Sequence, residues 1–165
     1  MQAGKQMGEW HRVQSALTKD RSDQASILEQ QQAHEQKIQA CQQRIKQLGD
    51  GQNPDDQLEH MLAAQELWMA EKELERFLEA NQEHLFSLEQ RIREHQFTLL
   101  SLRQTMDENW LIEYDRLSKR LANPVAEVRN ETCTGCYLTL SIHNKNEWRK
   151  GKGLVHCDQC GRILI

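Results

Sequence analysis

Aromatic residues make up 5% of the 165 residues, with two Tyr and three Phe, and there are only two prolines. A sizeable enzyme core needs bulky apolar side chains in quantity, so this composition argues against one. With proline at positions 54 and 124 alone, long stretches can run as unbroken helix. No run approaches the ~18 consecutive apolar residues that would cross a bilayer. The opening MQAGKQMGEW has no apolar stretch of the kind a secretory leader carries. The expectation is a chain kept in the cytoplasm, with no membrane contact and reduced thiols. Phosphate-cradling loops and elbow-mounted nucleophiles are also missing, so no enzyme, no catalytic residue and no small-molecule substrate are expected.

A strong charge of either sign is lacking as well. The net charge is −4. Residues 125–165 hold six Lys/Arg and four Asp/Glu, which leaves 15 against 21 in the rest of the chain. Two bound thiolates in excess over a divalent metal would cancel that local surplus. Composition by itself therefore does not announce a nucleic-acid binder.

What is abundant is Gln, Glu, Leu and Arg, all helix-favouring. From Trp10, alternating steps of three and four land on Val13, Leu17, Asp20, Gln24, Ile27, Gln31, His34, Ile38, Cys41, Ile45 and Leu48. Spacing sustained over about five heptads is a coiled-coil signal. Gly49 to Asn53 breaks the helix, with glycine suited to a left-handed cap and Asn53-Pro54 to a new start. The second stripe is regular over Leu74, Leu78, Asn81, Leu85, Leu88, Ile92, His95, Leu99, Leu102 and Met106. Before it, Leu58, Met61, Leu62, Trp68 and Met69 are apolar, with a slip of register near Lys72. The short break favours an antiparallel hairpin over residues 1–106. In it Trp10 should lie near Gln96, Leu48 near Leu58, and Gln24 beside Asn81. Residues 107–124 should form a connecting helix, with Trp110, Leu111, Tyr114, Leu117 and Leu121 on one face packed against the coil or the C-terminal region.

From Val125 the pattern changes. YLTLSI alternates as a strand does, LVHC and RILI read as short strands, and Asn144 to Lys150 as one helical turn or a loop. Cys133-Thr-Gly-Cys136 and Cys157-Asp-Gln-Cys160 are two C-x-x-C pairs separated by twenty residues. Two intervening residues let one tight turn aim both sulfurs at one ion, and two such turns complete a tetrahedron of soft ligands. Gly135 and Gly161 suit turns whose N–H groups point at sulfur. One structural zinc ion is the expectation; a rubredoxin-like iron site uses the same four sulfurs. Four protein ligands leave no position for water or substrate, so the ion should hold the fold and do no chemistry. Cys41, on the helical stripe, reads as a small buried hydrophobe, and His143 and His156 as surface residues or neighbours of the ligands rather than ligands. The fold class is thus mainly α: an antiparallel coiled-coil hairpin followed by a small β zinc ribbon over residues 125–165.

The runs LIEYDRL, VRNETCTGCYLTL and NEWRKGKGLVHCDQCGRIL carry a resemblance over Asn109–Ile165. They resemble the bacterial family that joins an N-terminal coiled-coil hairpin to a C-terminal C4 zinc ribbon. That resemblance implies a regulatory adaptor, binding an alternative sigma factor or components of flagellar or type III secretion. RNA is the alternative partner. Candidate contact residues are Tyr137, Trp148, Arg149, Lys150, Lys152 and Arg162. Trp148, beside two cations in a polar stretch, is expected to be exposed. The cations would meet phosphate if RNA is bound, with Trp148 stacked on a base.

Overall fold

The computed structural model describes residues 2–48 and 53–165. Four helices and four two-residue strands follow in order: α1 (Gln2–Leu48), α2 (Pro54–Thr105), α3 (Glu108–Ser118), β1 (Val125–Ala126), β2 (Val128–Arg129), β3 (Thr132–Cys133), α4 (Ile142–Lys150) and β4 (Ile163–Leu164). No helix among the described residues is long and apolar enough to cross a membrane. The chain gathers into two compact units, one of Lys19–Ile92 and one of Met1–Thr18 with Arg93–Ile165.

The unit Lys19–Ile92 is an antiparallel helix pair. Asp20, Lys37 and Arg44 of α1 bond Arg91, Glu73 and Glu66 of α2, so partners descend one helix as they climb the other. Every α1 position of the expected stripe in this unit, Asp20 through Leu48, is buried or half-buried between exposed flanks. On α2 the inner row is His60, Ala63, Leu67, Ala70, Leu74, Phe77, Asn81, Leu85, Leu88 and Ile92. Phe77 takes the place foreseen for Leu78, its ring 5.1 Å from that of His34. The expected pairing of Gln24 with Asn81 does not form; the Asn81 amide donates to Phe77 O of its own helix. The helices sit about one turn further along α2 than the apolar pattern alone implied. A two-pronged bond fixes this register: Arg91 Nε and Nη2 donate to Asp20 Oδ2 and Oδ1, both at 3.1 Å. Pro54 opens α2 as expected, with Gln57 N–H donating to Asn53 O. The glycine cap expected at Gly49 lies outside the described residues.

In the other unit the face of α3 packs as its spacing implied. Leu111, Tyr114 and Leu117 are buried with Met7, Met106, Val125 and Ile163, and Trp10, Leu102, Trp110 and Leu121 close around them. Asp107 caps α3 by accepting from Asn109 N–H at 2.9 Å. The first turns of α1 extend the stripe backward through buried Met7 and Ala3. Gly8 gives room here, since a Cβ on it would stand 3.0 Å from Ile165 Cδ1. Tyr114 and His11 share a 2.8 Å hydrogen bond. Burial pushes the Tyr114 phenol up to about 12 and lowers His11 from its ordinary value.

Strands β1 and β4 run parallel, Val125 opposite Ile163 and Ala126 opposite Leu164. Successive side chains of a strand face opposite ways. Val125 and Ile163 accordingly enter the helical core, while Ala126 and Leu164 enter a second core around the cysteines. The YLTLSI strand does not form. Tyr137 and Leu138 are both exposed, only a single bridge joins Thr132 to Thr139, and Ser141 caps α4 instead. The bond from Asn144 N–H to Ser141 Oγ, and that from buried Asn144 Nδ2 to His156 O at 2.7 Å, explain why a helix starts there. LVHC is likewise no strand beyond the bridge from His156 to Ile163.

Replacing Asp20 by Ala should lower stability by about 1–2 kcal/mol, between the cost for an exposed and for a buried pair, because Arg91 stays partly solvated. Urea denaturation should show a reduced midpoint with an unchanged slope, and adding Arg91→Ala should cost little more.

Candidate metal centre

The two C-x-x-C segments fold into matching knuckles. Tyr137 N–H donates to Cys133 O and Gly161 N–H to Cys157 O, both at 2.8 Å. Cys133 N–H then reaches Leu138 O, and Cys157 N–H reaches Arg162 O. The residue after each second cysteine has a positive φ, 60° at Tyr137 and 71° at Gly161. Gly161 adopts this at no steric cost, whereas Tyr137 carries the strain of a side chain in the left-handed region. Gly135 serves space, not rotation: a Cβ there would fall 2.5 Å from Arg162 Cδ. Arg162 is pinned at that spot by bonds from Nε to Asn123 O and from Nη1 to Gly135 O.

The four Sγ atoms of Cys133, Cys136, Cys157 and Cys160 all lie within 4.8 Å of one another. Cys133 and Cys160 are 3.8 Å apart, Cys136 and Cys157 3.7 Å. Four sulfurs at ~2.3 Å from a tetrahedral zinc would be separated by about 3.8 Å. The donors and their spacing therefore fit one zinc ion, held by protein atoms alone. Backbone N–H groups face the sulfurs: Gly135 donates to Cys133 at 3.4 Å, Leu138 to Cys136 and Arg162 to Cys160. Burial pushes the Cys133 thiol up to about 12 and raises Cys136. Cys160 is also penalised by burial, yet the Arg162 amide and guanidinium and the neighbouring thiols bring it down to about 7. Without a cation the cluster holds protons; a divalent ion lets all four sulfurs ionise together. A bound ion would cross-link two cysteine pairs separated by twenty residues, with all four ligands supplied by the protein.

Residues 132–164 match the family described as C4-type zinc ribbon domain. No curated protein matches the chain at a significant level. Similar solved structures include CT398 from Chlamydia trachomatis, at 19% identity and TM-score 0.45, covering 97% of this chain and 84% of that one. The HP0958 protein from Helicobacter pylori gives 16% and 0.37, covering 97% and 83%. A protein from Mycobacterium smegmatis gives 14% and 0.45, covering 97% and 83%. Such scores are too low to carry function across; the zinc assignment rests on the sulfur geometry and the matched residues.

The candidate contact residues are placed unevenly. Trp148 is not exposed as expected. It is half-buried against the cysteine core, because α4 turns its ring inward beside Val128 and Val155. Tyr137 is 80% exposed. Arg149 bonds Glu131, as does Lys145, and Lys150 bonds Glu147. Lys152 is exposed. Leu138 and Ile142, at 50% and 77% exposure, were not singled out from the sequence. The alternating pattern hid them, since it placed Leu138 inside a strand. His143 is exposed, and half-buried His156 has its Nε2 3.4 Å from Glu113 Oε1, so neither joins the sulfur cluster. Cys41 is half-buried on the α1 stripe.

Gly135→Ala should displace Arg162 and speed chelator-driven zinc release roughly tenfold, as loss of support around a metal site commonly does. Cys157→Ser should abolish stoichiometric zinc and collapse the near-ultraviolet dichroism of the ribbon aromatics, while most helical signal at 222 nm persists. Zinc affinity should fall between pH 8 and pH 6 in competition with a chromophoric chelator, because binding must expel the thiol protons.

Proposed function

We propose that the chain is a cytoplasmic, non-catalytic adaptor whose zinc ribbon offers a small apolar contact to a protein partner. The supporting observation is Tyr137. It occupies the left-handed position that glycine fills in the sister knuckle, and its ring projects into solvent. A non-glycine residue there costs of order 1 kcal/mol, and such strain tends to persist where a side chain is used. Exposed Leu138 and Ile142 lie within the next five residues. Tyrosine is a favoured interface anchor. The resembled family supplies the candidates, an alternative sigma factor or a flagellar or secretion component. The closed sulfur shell supports a structural role over an enzymatic one.

RNA on the basic face is the weaker alternative. Lys145, Arg149 and Lys150 already bond carboxylates, and Arg162 bonds two carbonyls. Phosphate contact would require those bonds to be exchanged, although exposed pairs give up little when they break. Filter binding that strengthens steeply as salt falls would favour RNA.

Tyr137→Gly separates strain from use. Stability toward denaturant should rise by about 1 kcal/mol, while capture of the sigma-factor or secretion-component bait weakens at least tenfold. A stabilised variant with undiminished capture would remove Tyr137 from the interface.

A further inference from the structure

The rod carries a second apolar row that the hairpin does not use. Leu58, Met61, Leu62, Trp68 and Met69 were expected among the coil-forming residues, yet each is at least half exposed. The inner row of the same stretch is His60, Ala63, Leu67 and Ala70, with both alanines fully covered. At 3.6 residues per turn the two rows fall on opposite sides of α2. Two of the four covered positions are thus alanine while five large apolar side chains point outward, which an ordinary two-helix pair would bury. Five such side chains, each presenting on the order of 100 Å², make a patch of about 500 Å², above the few hundred usual for a lone soluble surface.

We propose that the outward face of α2 between Leu58 and Met69 is a docking surface for a basic amphipathic helix of a partner protein. The spacing of the row, in steps of three, four and seven, is that of residues receiving another helix. Two methionines and a tryptophan give it adaptable, high-contact chemistry. Charge selects the occupant. Residues 54–71 contain Asp55, Asp56, Glu59, Glu66 and Glu71 and no Lys or Arg, and Lys72, next on the same side, is taken up by Glu75. Asp55, Glu59 and Glu66 border one side of the row and Glu71 the other, all exposed. Arg44 holds Glu66 at 2.8 Å, which leaves Asp55, Glu59 and Glu71 as the acceptors flanking the patch. A second copy laid on the same face would set these carboxylates against their own equivalents, and like charges across a contact are costly. A helix with an apolar stripe bordered by lysines or arginines meets both features at once. This face lies on the rod, far in sequence from Tyr137, so its failure and that of the ribbon contact are separable.

The probe is a fluorescein-labelled, Trp-free 18-residue Leu/Lys peptide with leucines at 3–4 spacing. A scrambled peptide of equal composition and a Leu/Glu peptide of equal spacing are the controls. Fluorescence anisotropy should show the first bound at least tenfold more tightly than either control, with a blue shift in tryptophan emission that Trp68→Phe abolishes. Leu62→Gln with Met69→Gln should weaken binding at least tenfold. Glu59→Lys with Glu71→Lys should do likewise and flatten the salt dependence. Glu79→Lys with Glu83→Lys, the same charge change elsewhere on α2, and Tyr137→Gly should leave affinity unchanged. All these positions are exposed, so helical signal at 222 nm should be retained. The proposal is overturned by equal binding of the scrambled peptide, by no binding, or by indifference to the Leu62/Met69 pair. It is equally overturned if sedimentation shows a dimer of the chain that this pair of substitutions dissolves, since the occupant would then be a second copy.

Discussion

Everything in the C-terminal forty residues depends on four thiol sulfurs brought within 4.8 Å of one another. Uncharged, they leave the two turns unlinked; ionised without a cation, they repel. A single divalent ion resolves both problems and turns two separate turns into one node. The matching hydrogen bonds of the two knuckles, and their matching positive φ values, follow from this demand. Each turn must aim two sulfurs and two N–H groups at one point, and few backbone conformations do so. Helix α4 and the short strands have almost no regular ladder of their own. Their order comes from the cysteine core, where Leu140, Leu164 and Trp148 gather around the sulfurs.

The node is mounted on the helices by two residues of parallel ladder. Val125 and Ile163 face one core, Ala126 and Leu164 the other, so a strand pair too short to stand alone joins the metal-centred and helix-centred layers. Met7, completely buried, brings the start of α1 into the same assembly as the last residues of the chain. The ribbon is therefore part of a larger packed unit that includes the first turns of α1 and all of α3. Losing the metal should loosen that whole unit, and the unit formed by Lys19–Ile92 has its own contacts to hold it.

Within the rod, hydrophobic burial is modest, and specificity falls to a few polar contacts. Asp20, buried and gripped by Arg91, holds the register that a run of Gln, His and Ile would leave loose. Ala63 and Ala70 are covered inside α2, and the larger apolar side chains of that stretch stand on its outer face with an acidic border. A helix with two apolar rows is suited to a neighbour on each side.

The cysteine spacing and the helical stripe were legible in the sequence because each is a local rule. Two intervening residues define a knuckle, and steps of three and four define a face; Trp10 through Leu48 all lie on the covered side as counted. Periodicity could not say which of the two rows on α2 meets α1, since both satisfy it. That choice belongs to close packing between helices, where Ala63 and Ala70 admit the neighbour and Trp68 and Met69 do not. Alternation misplaced Tyr137 and Leu138 because sulfur-directed turns override strand preference, and a polar setting misplaced Trp148 because α4 turned its ring toward the metal core. Sequence alone determined the ligands and the helical period. The tertiary structure decided register, which apolar face is spare, and which aromatic reaches solvent, because those outcomes are set by contacts between residues far apart in the chain.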